Sequence, residues 1–119
     1  LVIGPKKDGI TLDGLFKTVE SRRQADPEQS YTGYLFSCGK NKIAQKVGEE
    51  AIETVIAGVS GDQTEIANES ADLIYHLLVL WAEAGIQPSD VYEVLEKRRN
   101  RSGIADKKSR IRNISKKSD

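Results

Sequence analysis

Apolar residues recur along this chain at helical spacing, and they mark out its elements. Leu12, Leu15, Phe16 and Val19 predict an amphipathic helix over about 11–24. The stretch ADPEQSYTGYL (25–35) carries Pro27 and Gly33 as breakers and reads as a loop that touches the site. Ile43, Val47, Val55 and Ile56, with Glu50 among them, predict a second helix over about 41–58, stopped by GVSG (58–61). Asp62 followed by Glu65 reads as an N-cap with its reciprocal partner. A long third helix follows over about 63–84, carrying Ile66, Leu73, Ile74, Leu77, Leu78 and Trp81. Gly85 ends it and Pro88 confirms the stop. Ser89 or Asp90 then caps a fourth helix to about 100, built on Val91, Val94 and Leu95. Ser102 and Gly103 break that helix, and a short one near 105–112 is allowed. No strand pattern and no internal repeat stands out. The expected fold is all-α, a four- to five-helix bundle.

The third helix is apolar around much of its circumference from Leu73 to Trp81. One small bundle rarely covers so much of a helix. A second copy packed against it would, so a homodimer is expected. The length of 119 residues suits one domain, placed at 1–112, with a disordered basic tail at 113–119. No run approaches the roughly 20 apolar residues of a membrane span. The opening LVIGPKKDG is too short and too polar for a signal peptide. The lone Cys38 excludes an intrachain disulfide and fits a reducing compartment, so a cytoplasmic site is expected. One Cys and one His do not make a Cys/His zinc site.

A net charge of zero hides an asymmetry. Residues 97–119 carry ten Lys/Arg against two Asp, whereas residues 1–96 carry eight basic and sixteen acidic groups. A solvated tail is the plain reading; anion or nucleic-acid binding are the sharper ones.

The acidic residues are grouped. KVGEEAIETV (46–55) holds Glu49, Glu50 and Glu53, and ESAD (69–72) holds Glu69 and Asp72. Residues three or four apart share a helix face, so these like charges repel unless something neutralises them. Lys46 offsets only part of that. Buried carboxylates without partners are costly. Two such pairs facing each other across a bundle suit a hard divalent cation such as Mg²⁺, which takes carboxylate oxygens and keeps waters for phosphate exchange. Gly48 inside this helix costs about 1 kcal/mol against Ala; close approach of a phosphate or of another helix would compensate. His76 lies near the acidic face, as a core or supporting residue rather than a reacting one.

SYT (30–32), GKNKIAQKVGEEAIETVIA (39–57), ESADLIYHLLVL (69–80) and SGIADKKSR (102–110) together resemble the phosphoribosyl-ATP pyrophosphatase family. That family belongs to the all-α, MazG-like nucleoside-triphosphate pyrophosphohydrolases. The resemblance spans about 12–110. Asp106 stands where Glu is expected and Lys108 where a small residue is expected. The resemblance implies Mg²⁺-dependent hydrolysis of 1-(5-phosphoribosyl)-ATP to 1-(5-phosphoribosyl)-AMP and pyrophosphate, the second enzyme step of histidine biosynthesis, with Mn²⁺ as a substitute metal. It implies Glu50, Glu53, Glu69 and Asp72 as metal ligands, with Glu49 as a further ligand or as the base that orients water. Glu49, Glu50 and Glu53 are thus the expected catalytic residues. Lys46 contacts phosphate or pairs with Glu49 and Glu50. Ser30, Tyr31 and Thr32 are assigned to substrate, and Ser102, Gly103, Lys107 and Arg110 to its 5-phosphate. Two rival readings are a house-cleaning pyrophosphatase for other nucleotides and, far behind, a basic-tailed helical dimer on nucleic acid. Neither a membrane nor a nucleic-acid partner is expected.

Overall fold

A computed structural model describes residues 9–99, 101, 107–108 and 110–113. The helices are α1 (Leu12–Ser21), α2 (Tyr31–Cys38), α3 (Lys40–Ser60), α4 (Gln63–Ala84) and α5 (Pro88–Arg98). Residues 107–108 and 110–113 are also helical, and no strand occurs among the described residues. The chain divides into two compact units, Leu1–Pro88 and Ser89–Asp119. The fold is all-α, as the pattern predicts.

Local chemistry sets most of the boundaries. Thr11 caps α1 by accepting the Gly14 N–H. Asp62 caps α4, its Oδ1 accepting the N–H groups of Thr64 and Glu65. Gly61 and Gly85 close α3 and α4 in left-handed conformation, at φ 78° and 79°, where a Cβ is disfavoured. α1 ends at Ser21, three residues before the predicted limit. Pro88 opens α5 rather than only stopping α4, so neither Ser89 nor Asp90 precedes it as a cap. Proline fits a first helical turn because its missing N–H would find no partner there.

The loop expected at 25–35 is only half a loop. Ser30 caps a helix that begins at Tyr31, its Oγ accepting the Gly33 N–H. Gly33 does not break this helix; it lies inside it. A Cβ there would sit 2.4 Å from the Ala25 carbonyl oxygen. The glycine answers to close packing, not to a turn.

In the first unit α3 and α4 run antiparallel, joined at Gly61 and Asp62. Opposite residues meet along them: the Thr54 hydroxyl bonds the carbonyl oxygens of both Glu50 and Glu69. α1 and α2 pack on α4. The core is Phe16, Val19, Leu35, Ile43, Leu78, Val79 and Ala82. Each large member contributes about 1.5–3 kcal/mol by leaving water. Arg23 ties the corner, donating to the Ala82 carbonyl at 2.8 Å and lying over the Phe36 ring.

The broadly apolar α4 is largely covered within the chain: only Ile74 among its large hydrophobic residues is exposed. The uncovered apolar face is on α3 instead. Ile43, Glu50 and Ala57 form its buried side. Ile52, Val55, Ile56 and Val59 are exposed, at 62, 64, 63 and 84%. Val55 and Ile56, two of the residues that mark this helix in the sequence, thus point outward. No helix among the described residues is long and apolar enough to cross a membrane.

Candidate metal centre and active site

The antiparallel pairing of α3 and α4 brings together acids from both. Glu50 of α3 and Glu69 and Asp72 of α4 offer carboxylate oxygens within 4.8 Å of one another. Glu50 is buried, with 7% of its surface exposed. Burial, then the charge of Glu53, pushes its carboxyl above the usual carboxylate range; His76 and Lys46 act the other way. Burial, then Glu53 and Asp72, also raises Glu69. One oxygen of Glu69, Oε2, is buried without a hydrogen-bond partner. A carboxylate oxygen left in that state costs free energy that a cation would return. The donor set is all oxygen, which suits Mg²⁺ and not a thiolate- or imidazole-seeking metal.

Glu53 is not one of the three converging acids, though it interacts with Glu69. Glu53 and Glu69 line a cavity of about 290 Å³ with Ile56, Ala57 and Glu65. Glu65, read from the sequence only as the capping partner of Asp62, lies four residues before Glu69 and therefore on the same face. Glu49 turns away from the three. Its exposed carboxylate accepts hydrogen bonds from Gln45 at 2.7 Å and Lys46 at 3.1 Å, and these hold it below the ordinary glutamate range. Lys46 reaches Glu50 only at 3.9 Å, so it pairs mainly with Glu49. Gly48 meets nothing within 4 Å of a Cβ position. Among the described residues no other helix comes within 4 Å of that position.

The first turn of α2 is bound to α4 beside the acids. Tyr31 Oη lies 2.8 Å from His76 Nε2, and His76 Nδ1 lies 2.7 Å from the Asp72 carbonyl oxygen. A carbonyl only accepts, so Nδ1 carries the proton. In the neutral ring Nε2 then accepts the Tyr31 O–H. His76 is therefore a buried supporting residue, 6% exposed. One step along both helices, Thr32 Oγ1 hydrogen-bonds Tyr75 Oη. The sequence showed SYT and YH as segments but gave no sign of this residue-by-residue pairing, which depends on the packing of two separate helices. Ser30, Tyr31, Thr32 and Tyr75 also border a cleft of about 550 Å³ with Arg22 and Gln29.

Of the C-terminal residues expected at substrate, Lys107 and Arg110 are exposed in the second unit. Ser102 and Gly103 lie outside the described residues, as does all of the tail except Asn113.

Comparison with known proteins identifies the family. The phosphoribosyl-ATP pyrophosphohydrolase family profile matches residues 9–99. The chain is 57% identical over 105 residues to the phosphoribosyl-ATP pyrophosphatase of Azospirillum brasilense, covering 88% of this chain and 95% of that protein. It is 49% identical over 106 residues to that of Paramagnetospirillum magneticum, covering 89% and 97%. With the enzyme of Rhizorhabdus wittichii the identity is 52% over 100 residues, covering 84% and 94%.

Proposed function

This chain belongs to the phosphoribosyl-ATP pyrophosphohydrolase family, and we propose from that membership and from its acidic centre that it hydrolyses 1-(5-phosphoribosyl)-ATP to 1-(5-phosphoribosyl)-AMP and pyrophosphate. The reaction is a step of histidine biosynthesis, and we assign it to the cytoplasm. The observation that carries the reading is the convergence of Glu50, Glu69 and Asp72 around a buried carboxylate oxygen without a partner.

Glu50, Glu69 and Asp72 are the residues that would hold Mg²⁺, with Glu53 beside them as a fourth oxygen donor. A bound divalent ion supplies charge neutralisation on the triphosphate and a lowered pKa for coordinated water. The chain's own groups do the rest. Thr54 locks α3 to α4 at the centre, through its bonds to Glu50 and Glu69. Glu53 is exposed on α3 and interacts with Glu69, so it would complete the oxygen set from the solvent side. Glu49 stays ionised and keeps Lys46 extended along α3. Lys46 is then available to the departing phosphates. Tyr31 and Thr32 border the cleft that would receive the nucleoside. Ser102, Gly103, Lys107 and Arg110 are proposed for the 5-phosphate, where Arg in particular donates two hydrogen bonds at once.

The enzyme is further proposed to act as a homodimer. The exposed stripe Ile52, Val55, Ile56 and Val59 is spaced for one helix face. Gly48, where no described residue lies within 4 Å of a Cβ position, leaves room for a second helix.

Pyrophosphate release from phosphoribosyl-ATP, ATP and dCTP in Mg²⁺ tests the assignment. Phosphoribosyl-ATP is expected to turn over much faster than the other two. Equal or better turnover of dCTP would replace it with a house-cleaning activity.

A further inference from the structure

Tyr31 and Tyr34 stand one turn apart on the outer side of α2. Their rings are stacked, with centroids 6.2 Å apart and planes 27° from parallel. Both are exposed, at 49% and 40%. Neither ring belongs to the hydrophobic core, yet each is fixed. Tyr31 is bonded to His76 and meets its ring edge-on at 5.6 Å. Tyr34 is held against Tyr31 by that stacking. Two rigid, exposed aromatic rings present π surface at little entropic cost.

Their position is informative. His76, which holds Tyr31, also bonds the carbonyl of Asp72, one of the three converging acids. The rings therefore lie beside the place proposed for the triphosphate. The charged groups that act on Tyr31 are Lys46, Glu50 and Glu49, and Lys46 alone is charged among those that act on Tyr34. Lys46 is paired with Glu49 at 3.1 Å. That pairing offsets the charge of Lys46, so it does not oppose a cationic guest at the rings.

The proposed substrate supplies one. Its adenine is alkylated at N1, and an N1-alkylated adenine is protonated and cationic near neutral pH. The adenine of ATP is neutral. A cation over a tyrosine face is attracted by the ring quadrupole. We infer that Tyr31 and Tyr34 form the stacking platform for the substrate's purine, and that this platform prefers the cationic N1-alkylated base over neutral adenine. The inference rests on the substrate reading above and adds the residues that discriminate.

The test separates the charge of the base from the ribose phosphate that accompanies it. 1-Methyl-ATP carries the cationic base and no second ribose. Binding of 1-methyl-ATP and of ATP to the full chain is measured by calorimetry with Mg²⁺ present. The wild type is expected to bind 1-methyl-ATP about five- to thirtyfold more tightly. Tyr34→Leu is expected to erase most of that preference and Tyr34→Phe to keep it, with unchanged helix content in both. Equal binding of the two nucleotides by the wild type, or an undiminished preference in Tyr34→Leu, would overturn the inference. The readout needs no turnover. Absence of phosphoribosyl-ATP hydrolysis would therefore sink the functional reading while the binding ratio still decides the platform.

Discussion

The acids of α3 and α4 are where single residues matter most. Glu50 and Glu69 have raised carboxyl pKa values, caused first by burial and then by neighbouring acids. Folding thus binds protons at these sites, so without metal their contribution is favourable below the ordinary carboxylate pKa and is lost as pH rises through the raised values. The metal-free protein is expected to melt at higher temperature near pH 5 than near pH 8, as far as these two groups decide it. Glu69→Gln is expected to raise the metal-free melting temperature at pH 8, to flatten that pH difference, and to abolish Mg²⁺-dependent turnover. Thermal melts in EDTA check the first two, and pyrophosphate release in Mg²⁺ checks the third. A second residue-scale prediction concerns Gly33. A Cβ 2.4 Å from the Ala25 carbonyl oxygen and 3.0 Å from its carbon meets backbone, which yields little. Gly33→Ala is expected to cost about 1–3 kcal/mol, seen as a lowered urea midpoint. The acids were legible in the sequence because three- and four-residue spacing puts them on shared faces. Which of them converge was not. Glu49 and Glu53 look equivalent to Glu50 until the partner helix selects one side of α3.

Among the elements, the long helices were legible because their signals are local: Asp62 caps α4, and Gly61 and Gly85 end α3 and α4. α2 was missed because it is short and carries in its first turn a glycine that looks like a breaker. Its reason to exist is tertiary: Leu35 is fully buried in the core and Thr32 and Tyr31 bond α4. The inward side of α3 was not legible for a related cause. Ile43 and Ala57 face inward while Ile52, Val55, Ile56 and Val59 face outward, so hydrophobicity alone marks two faces and does not say which is the core. A free face of this kind predicts its own partner. Val55→Glu is expected to convert a protein of about twice the 13.1 kDa chain mass into monomer, measured by sedimentation at micromolar concentration. An unshifted dimer would move the interface elsewhere. Asp62→Ala is a stability change of another kind, expected to cost about 1 kcal/mol through the lost cap, with no effect on assembly.

At the scale of the whole molecule the charge distribution poses a problem for the proposed substrate. Residues 1–96 carry sixteen acidic groups against eight basic ones, and a substrate with a triphosphate and a 5-phosphate is repelled by such a field. A divalent cation held by Glu50, Glu69 and Asp72 answers the triphosphate. It does not also answer the 5-phosphate, which lies at the opposite end of the nucleotide. The ten Lys/Arg of residues 97–119 are the chain's large reserve of positive charge, and SGIADKKSR lies among them. The basic character of this segment was plain from composition, whereas its use was not, because charge counts do not distinguish a solubilising end from a phosphate clamp. Truncation does distinguish them. Removing 113–119 is expected to leave KM for phosphoribosyl-ATP unchanged. Removing 102–119 is expected to raise it about ten- to a hundredfold, the equivalent of losing one or more charge-assisted hydrogen bonds, while helix content and Mg²⁺ binding persist. Arg110→Ala is expected to move KM in the same direction by a smaller factor. KM held at the wild-type value after removal of 102–119 would assign the 5-phosphate to the cleft bordered by Arg22 and Ser30, and Arg22→Ala would then be the variant that raises it.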